Sequence, residues 1–261
     1  MTHAVLVVGA MGRMGARVRT AVAEEPSMRL HAALETPGHP GMGSAIDGDV
    51  ILADDPKAAL VGCAVAIDFS TPAATLAAMR AAADAEVAYV CGTTGCSDDE
   101  QSEIAELATR IPVVHAPNFS LAVNVLAWLS RETARRLGAG YDAELVELHH
   151  AAKRDAPSGT ALQLGEAVAD GRNQQLSDHL LLERAGEIGA RPAGAIGIQT
   201  LRGGDSTGEH TVMFVGQGER LELTHRALTR DHFARGAVRA AQWLVNRDPG
   251  LYPINRVFSL D

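Results

Sequence analysis

Apolar residues recur along this chain with two different periods, and the change between them divides it. From Ala4 to His115, short apolar runs alternate with helical stretches. Ala4–Val8 reads as a strand buried on both faces, and Met28–Leu34, Ala64–Ser70, Val87–Cys91 and Pro112–His115 as further strands, with a short one over Val50–Ala53. Between them Arg13–Glu24, Pro72–Ala83 and Ser97–Arg110 carry helix formers. Pro72 suits a first helical turn, and Ser97-Asp98-Asp99-Glu100 has the form of a capping box. Alternation of this kind predicts an α/β unit, a doubly wound parallel sheet covered by helices. Beyond Ser120 the pattern changes. Leu121–Leu137 is an amphipathic helix, and Tyr141–His149 alternates as a strand with one polar face. A helix follows from Ser158 to about Ala169. Ala195–Arg202, Glu209–Val215 and Arg220–Arg226 then read as strands joined by glycine-rich turns. These predict an α+β unit with a mixed or antiparallel sheet. Asp231–Asn246 is helical, with Ala234, Ala237, Val238, Ala241 and Leu244 as its apolar stripe. The polar stretch Asp170–Pro192 shows no regular period.

The length of 261 residues accommodates two domains with substantial cores. A formal charge of −9 argues against nucleic acid, because phosphate binding needs basic stripes that this composition does not supply. An anionic substrate then requires a site whose local sign opposes that of the whole molecule. The cysteines Cys63, Cys91 and Cys96 are odd in number and form no C-x-x-C pair, which suits free thiols in a reducing cytoplasm. The run Ala4–Val8 breaks at Gly9, too short for a signal peptide or a membrane span, so the expectation is a cytoplasmic protein without a membrane partner.

Candidate chemistry begins where the first strand ends. Gly9-Ala10-Met11-Gly12-Arg13-Met14-Gly15 joins strand to helix with glycines that permit a tight turn, bring backbone N–H groups to a pyrophosphate and let helix and strand pack closely. Its spacing is G-x-x-G-x-x-G, with Met11 where the commonest fingerprint has a second glycine. Glu35 closes the next strand at about the 20-residue separation at which an acid meets the adenosine ribose hydroxyls. The two features together predict a Rossmann-like nucleotide domain. Glu35 repels a 2′-phosphate and Thr36 offers no charge to offset it, so NADH is the expected cofactor, with NADPH possible and Arg13 or His39 as its contacts. Ser70–Pro72, Gly92–Thr94 and Ala116–Ser120 also fall at carboxyl ends of predicted strands, where such sheets bind ligands.

The densest chemistry lies in His149-His150-Ala151-Ala152-Lys153-Arg154-Asp155-Ala156-Pro157-Ser158-Gly159-Thr160. A helix starting near Ser158 offers unpaired N–H groups and the positive end of its dipole, and Gly159 lets an anion approach. Just upstream, His149 and Lys153 can hold or move protons. This is a place for a small acid undergoing proton transfer. His210 and His225 could join His149 and His150 around a metal, but no pair has the spacing of a known metal motif, and the expectation is no metal.

That stretch, with Glu147 ahead of it, resembles the E-x-H-H-x-x-K-x-D-A-P-S-G-T-A signature of the dihydrodipicolinate reductases, now called 4-hydroxy-tetrahydrodipicolinate reductases. The resemblance extends through Gly92-Thr93-Thr94, Ala116-Pro117-Asn118-Phe119-Ser120, the R-x-G-D-x-x-G-E-H-T-x-M-F stretch from Arg202 to Phe214, and the final helix. It implies NAD(P)H-dependent reduction of a cyclic dicarboxylate to tetrahydrodipicolinate on the route to diaminopimelate and lysine. It makes His149 and Lys153 the catalytic proton donors, with Lys153, His150, Ser158, Gly159 and Thr160 as substrate contacts. The glycine turn from Gly9 to Met14, Glu35, Gly92, Thr93, Thr94, Ala116, Pro117, Asn118 and Phe119 become cofactor contacts, the last seven lining the nicotinamide side. It further implies a discontinuous nucleotide domain, residues 1–120 with 230–261, a substrate and oligomerisation domain at 121–229, and a homotetramer. Thr36 stands where relatives that use NADPH often carry an arginine. Two alternatives remain open at this point: a related enzyme such as an aspartate dehydrogenase, and a non-catalytic dinucleotide-sensing module.

Overall fold

The first apolar run becomes strand β1 (His3–Val8), buried from Ala4 onward because neighbours pair on both of its edges. In the computed structural model, which describes residues 2–260, the chain continues through α1 (Arg13–Glu24), β2 (Met28–Leu34), β3 (Ala45–Ile46), β4 (Val50–Ala53), α2 (Pro56–Leu60) and β5 (Val65–Asp68). It goes on through α3 (Pro72–Asp84), β6 (Ala88–Cys91), α4 (Asp98–Leu107), β7 (Pro112–His115), α5 (Leu121–Leu137), β8 (Asp142–His149), α6 (Gly159–Gly171), α7 (Leu176–His179) and β9 (Leu180–Leu181). Then come β10 (Ile196–Arg202), β11 (Glu209–Val215), β12 (Arg220–Arg226), α8 (Asp231–Leu244), β13 (Gly250–Tyr252) and α9 (Ile254–Phe258). Two compact units result, one from the residues up to Leu121 together with those from Arg230, the other from Ala122–Thr229.

The first unit is built on a sheet of order β13-β7-β6-β5-β1-β2-β4-β3. Its pairings are parallel except for that of β3 with β4. The strand order reverses between β1 and β5, so a ligand crevice falls at the carboxyl end of β1. Alternate residues of β1 serve different cores. Val5 and Val7 join Val18 and Val22 of α1 and Ala237 and Ala241 of α8, whereas Leu6 and Val8 join Leu76 and Met79 of α3 and Ile104 of α4. Each large side chain taken fully from water in these layers contributes about 1.5–3 kcal/mol. The capping box forms as the sequence implies: Ser97 Oγ accepts from Glu100 N–H, and the Glu100 carboxylate accepts from Ser97 N–H.

Three pieces of this unit carry too little period to be read from sequence. Asp55 caps the five-residue α2 by accepting from Lys57 N–H at 2.9 Å. The tail adds β13 in parallel beside β7, where Tyr252 meets the Trp243 ring edge-on, and α9 then closes the core with Val257 and Phe258.

The second unit has sheet order β12-β11-β8-β10-β9, mixed because β10 runs parallel to β8 and β11 antiparallel to it. Alternation along the central β8 puts Ala143, Leu145, Glu147 and His149 on one buried face. Its first half packs with Leu164 and Val168 of α6 and with Ile198, Val212 and Phe214; its second half is polar. The irregular stretch before β10 is tied down by charge. Arg184 and Arg191 both bond Glu144, the latter from Nε at 2.9 Å, and Arg191 also reaches the carbonyls of Ala143 and Ala195. No helix among the described residues is long and apolar enough to cross a membrane.

Candidate active site

The polar end of β8 holds an ionised network closed off from water. Glu147 is 1% exposed. Its Oε1 accepts from Ser158 N–H at 3.0 Å, Thr200 Oγ1 at 3.1 Å and Arg202 Nη2 at 3.0 Å. Its Oε2 accepts from Arg202 Nη1 at 2.9 Å and bonds His149 Nδ1. The register explains the gathering, since Thr200 lies opposite Glu147 and Arg202 opposite His149 on the parallel neighbour, and His210 lies opposite Glu147 on the antiparallel one. His149 and His210 meet edge to face at 5.2 Å between centroids. Ser158, buried, caps α6 by accepting from Ala161 N–H at 3.1 Å, and its hydroxyl meets His210 Nε2 at 3.1 Å.

Burial opposes ionisation of Glu147, yet the Arg202 guanidinium, the Ser158 amide and His149 outweigh it and hold the carboxyl below its usual range. Burial pushes His149 down despite the adjacent carboxylate, with Lys153 and Arg202 repelling its proton further. Burial pushes His210 down to about 4, so this ring is neutral at pH 7. Carboxylate and ring-nitrogen atoms of Glu147, His149 and His210 all lie within 4.8 Å of one another, a grouping that could ligate a metal ion. Each is engaged by protein instead, Glu147 by Arg202, His149 by Glu147 and His210 by Ser158.

The remaining residues of the segment line up beside this network. Lys153 Nζ bonds Asp155 at 2.9 Å, and that pairing holds the Asp155 carboxyl below its usual range. The Ala156–Pro157 peptide is cis. Gly159 opens α6, exposed and with open space where a side chain would stand; His150 and Thr160 are half-buried. Ser158 differs from its expected part as a substrate contact: its side chain is turned inward as a helix cap and a hydrogen-bond partner of His210. His210, expected to face solvent or be hydrogen-bonded, is 4% exposed and hydrogen-bonded. Sequence reasoning left Thr200 and Arg202 without a role, because only the register of β10 on β8 brings them to Glu147.

In the first unit the glycine turn leaves β1 with Gly9 at φ +71°, and Gly9 and Ala10 both donate to the Leu34 carbonyl. Gly12 caps α1 without a side-chain hydrogen bond, leaving the first-turn N–H groups for an anion. A Cβ on Gly15 would lie 2.0 Å from the Gly9 carbonyl oxygen, so only glycine allows this approach of helix to turn. Glu35 follows β2 and accepts from Met11 N–H and Thr36 N–H, both at 3.0 Å. Burial works against its ionisation, but these amides hold it below the usual carboxyl range. Met11, Gly12 and Arg13 are exposed and Met14 half-buried. At the other strand ends the side chains divide. Thr94 and Pro117 are exposed, and Gly92 lies under the Phe69 ring. Thr93, Ala116, Asn118 and Phe119 are buried. Thr93 Oγ1 accepts from Thr75 Oγ1 at 2.8 Å, Asn118 Oδ1 accepts from Ser120 N–H at 2.9 Å, and Phe119 packs edge-on against Phe69. Beneath these loops Asp68, fully buried, accepts from Tyr89 Oη and Ser70 N–H at 2.8 Å each, and burial raises its pKa.

A glycine turn feeding an uncapped helix in a parallel sheet, with an acid at the next strand end, fits a nicotinamide dinucleotide, and the second unit gathers ionisable groups, His149 and Lys153 among them, of kinds that can hold a proton. Together they define a two-domain nicotinamide-dependent oxidoreductase. Residues 3–119 match the family described as dihydrodipicolinate reductase, N-terminus, and residues 122–258 match dihydrodipicolinate reductase, C-terminus. The chain belongs to the dihydrodipicolinate reductase family. It is 47% identical to a 4-hydroxy-tetrahydrodipicolinate reductase of Anaeromyxobacter dehalogenans, over 98% of this chain and 97% of that one. It is 45% identical to the enzyme of the same name from Geotalea daltonii, over 98% of each. The fold is shared with a dipicolinate-bound dihydrodipicolinate reductase from Paenisporosarcina sp., at a TM-score of 0.77 and 23% identity over 97% of this chain and 98% of that one.

Proposed function

We infer that the protein is an NAD(P)H-dependent 4-hydroxy-tetrahydrodipicolinate reductase, converting that cyclic dicarboxylate to tetrahydrodipicolinate in diaminopimelate and lysine biosynthesis. The observation that carries the reading is the buried Glu147–His149 pair at the end of β8, followed within one loop by Lys153 and the open N-terminus of α6. The unit around β1 holds the cofactor, with the Gly9–Met14 turn and the start of α1 against its pyrophosphate, Glu35 on its ribose, and the Gly92–Thr94 and Ala116–Phe119 segments on the nicotinamide side. The inward-turned Thr93, Asn118 and Phe119 act there by shaping backbone. NAD(P)H supplies the hydride when bound.

In the unit around β8, the Gly159 and Thr160 amides and the α6 dipole receive one carboxylate, with His150 and Lys153 adding positive charge. The reaction consumes one proton overall and releases the substrate hydroxyl as water. As the hydroxyl leaves it takes up one proton while the adjacent ring carbon gives one up, and that carbon, left electron-rich once hydride has arrived, regains a proton; His149 and Lys153 donate the two protons taken up. Placing His149 against a dianion lets the substrate itself favour the charged ring.

Glu35 and Thr36 support a preference for NADH; a higher kcat/KM with NADPH in steady-state kinetics overturns it. The outward face of the second sheet carries Leu201 and Val215, both more than a third exposed, together with Val146 and Leu148. This supports a homotetramer assembled through that sheet, and sedimentation giving a smaller species overturns it. The three free thiols support a cytoplasmic setting. The activity is tested by following NADH absorbance with pyruvate, aspartate semialdehyde and a synthase that condenses them. Oxidation depends on the synthase, and Lys153→Ala lowers kcat by about 10²–10⁴-fold, the range of a general acid. Synthase-independent oxidation, or full activity in Lys153→Ala, refutes the reading.

A further inference from the structure

Glu147 delivers no proton in the chemistry above, yet five hydrogen-bonding groups converge on it. A carboxylate has about four lone-pair positions and no proton to give when ionised. Those of Glu147 receive the Ser158 amide, the Thr200 hydroxyl, both Arg202 amino groups and the His149 ring. Arg202 keeps it ionised, so the only hydrogen that can lie between Glu147 and His149 belongs to Nδ1. The opposite edge of the ring is shaped by β11 and the turn before it. A Cβ on Gly208 would lie 2.8 Å from His149 Nε2, so the missing side chain is what leaves that nitrogen room. His210, held by Ser158, packs edge-on to the ring and stops it from turning.

We propose, resting on the reductase reading, that Glu147 is a positioning residue: its carboxylate takes the Nδ1 hydrogen of His149 and fixes the ring so that Nε2 alone exchanges protons with the ligand. The groups facing His149 are Glu147 with negative charge, Lys153 and Arg202 with positive charge, and His210, whose neutral ring adds none. Removing the carboxylate therefore leaves only groups that disfavour the imidazolium. A merely structural ion pair between Glu147 and Arg202 predicts lost stability and no change in the ring.

The test uses the full chain labelled with ¹⁵N-histidine, with His149 signals assigned by their loss in His149→Asn. Long-range ¹H–¹⁵N spectra of the unsubstituted protein are expected to give the Nδ1–H tautomer. In Glu147→Gln the carboxamide can donate to Nδ1, so the tautomer mixes or reverses. The alkaline limb of kcat/KM, which follows the protonated fraction of His149, then moves to lower pH, and kcat falls about 100-fold with KM within about threefold, the size of a mispositioned acid–base group. An Nε2–H tautomer in the unsubstituted protein overturns the proposal, and this measurement decides it even where Glu147→Gln does not fold. A folded Glu147→Gln variant that keeps tautomer and pH profile overturns it as well. An unsubstituted protein that shows the Nδ1–H tautomer but no synthase-dependent activity instead refutes the reductase reading.

Discussion

Arg202→Ala isolates the charge on which the site is built. In the native fold the guanidinium reaches both oxygens of Glu147, at 2.9 and 3.0 Å, and also bonds the Asp155 carbonyl at 2.6 Å. The Glu147 side chain is 1% exposed and that of Arg202 18%, so solvent screens the pair little. Removing one member of such a pair leaves an uncompensated buried charge and costs about 3–5 kcal/mol. The Ser158 amide, Thr200 and His149 still serve the carboxylate, which puts the expected loss at about 3 kcal/mol, the low end of that range.

The sign of the pH dependence follows from the two shifts. Glu147 is held low in the fold, so its contribution is complete above the unfolded pKa of about 4.3 and is lost only as pH falls through the folded value. His149 is also held low, by burial first. The unfolded chain therefore binds the proton before the fold does, and stability declines as pH falls below about 6.5. Arg202→Ala removes a positive neighbour of His149 and leaves Glu147 in need of a cation. The ring then protonates more readily in the fold, and its acid-side penalty shrinks. The deficit is accordingly largest at pH 8 and narrows by up to about 1 kcal/mol at pH 6. Trp128 lies in α5 of the second unit and Trp243 in α8 of the first, so a Trp243→Phe background makes Trp128 emission a reporter of the second unit alone. Urea unfolding at the two pH values, read by that emission, gives both numbers. A deficit below about 1 kcal/mol at pH 8, or one that widens at pH 6, refutes the electrostatic account.

Gly15→Ala places a methyl 2.0 Å from the Gly9 carbonyl oxygen and 2.8 Å from Ala10 Cα, forcing α1 off the turn. Despite a helix-propensity gain of about 1 kcal/mol, it is expected to cost a net ~2 kcal/mol in urea unfolding read by Trp243, and to weaken NADH binding; unchanged values contradict the packing. Thr36→Arg sets a guanidinium beside Glu35 and is expected to raise kcat/KM for NADPH relative to NADH about tenfold, the equivalent of about 1.4 kcal/mol. A ratio unmoved by that change means that the 2′-phosphate lies elsewhere.

The fold was legible wherever burial imposes a period. β1 from Ala4 onward, β6, and β7 up to Val114 are apolar because both faces are covered, and α8 shows its stripe because one face is. The stretch before β10 was not, because Arg184 and Arg191 hold it by reaching Glu144 in another strand, and ion pairs across strands leave no local pattern. The tail strand β13 is three residues long, too short to carry a period.

The candidate site divides along the same line. His149, Lys153 and Gly159 could be read because they lie within one loop of each other and a helix start announces itself locally. Arg202, Thr200 and His210 could not, because they reach Glu147 and Ser158 only through the register of three strands. Yet Glu147 and His149 are two apart on a strand whose earlier inward residues are Ala143 and Leu145, so the chain placed a carboxylate and an imidazole where apolar core was due. Burying that carboxylate without partners costs several kcal/mol. Once β8 is read as half-buried, its surroundings must supply a cation and hydrogen-bond donors, and strand pairing decides which residues those are. The inward polar step on an otherwise apolar strand face is what marks the site.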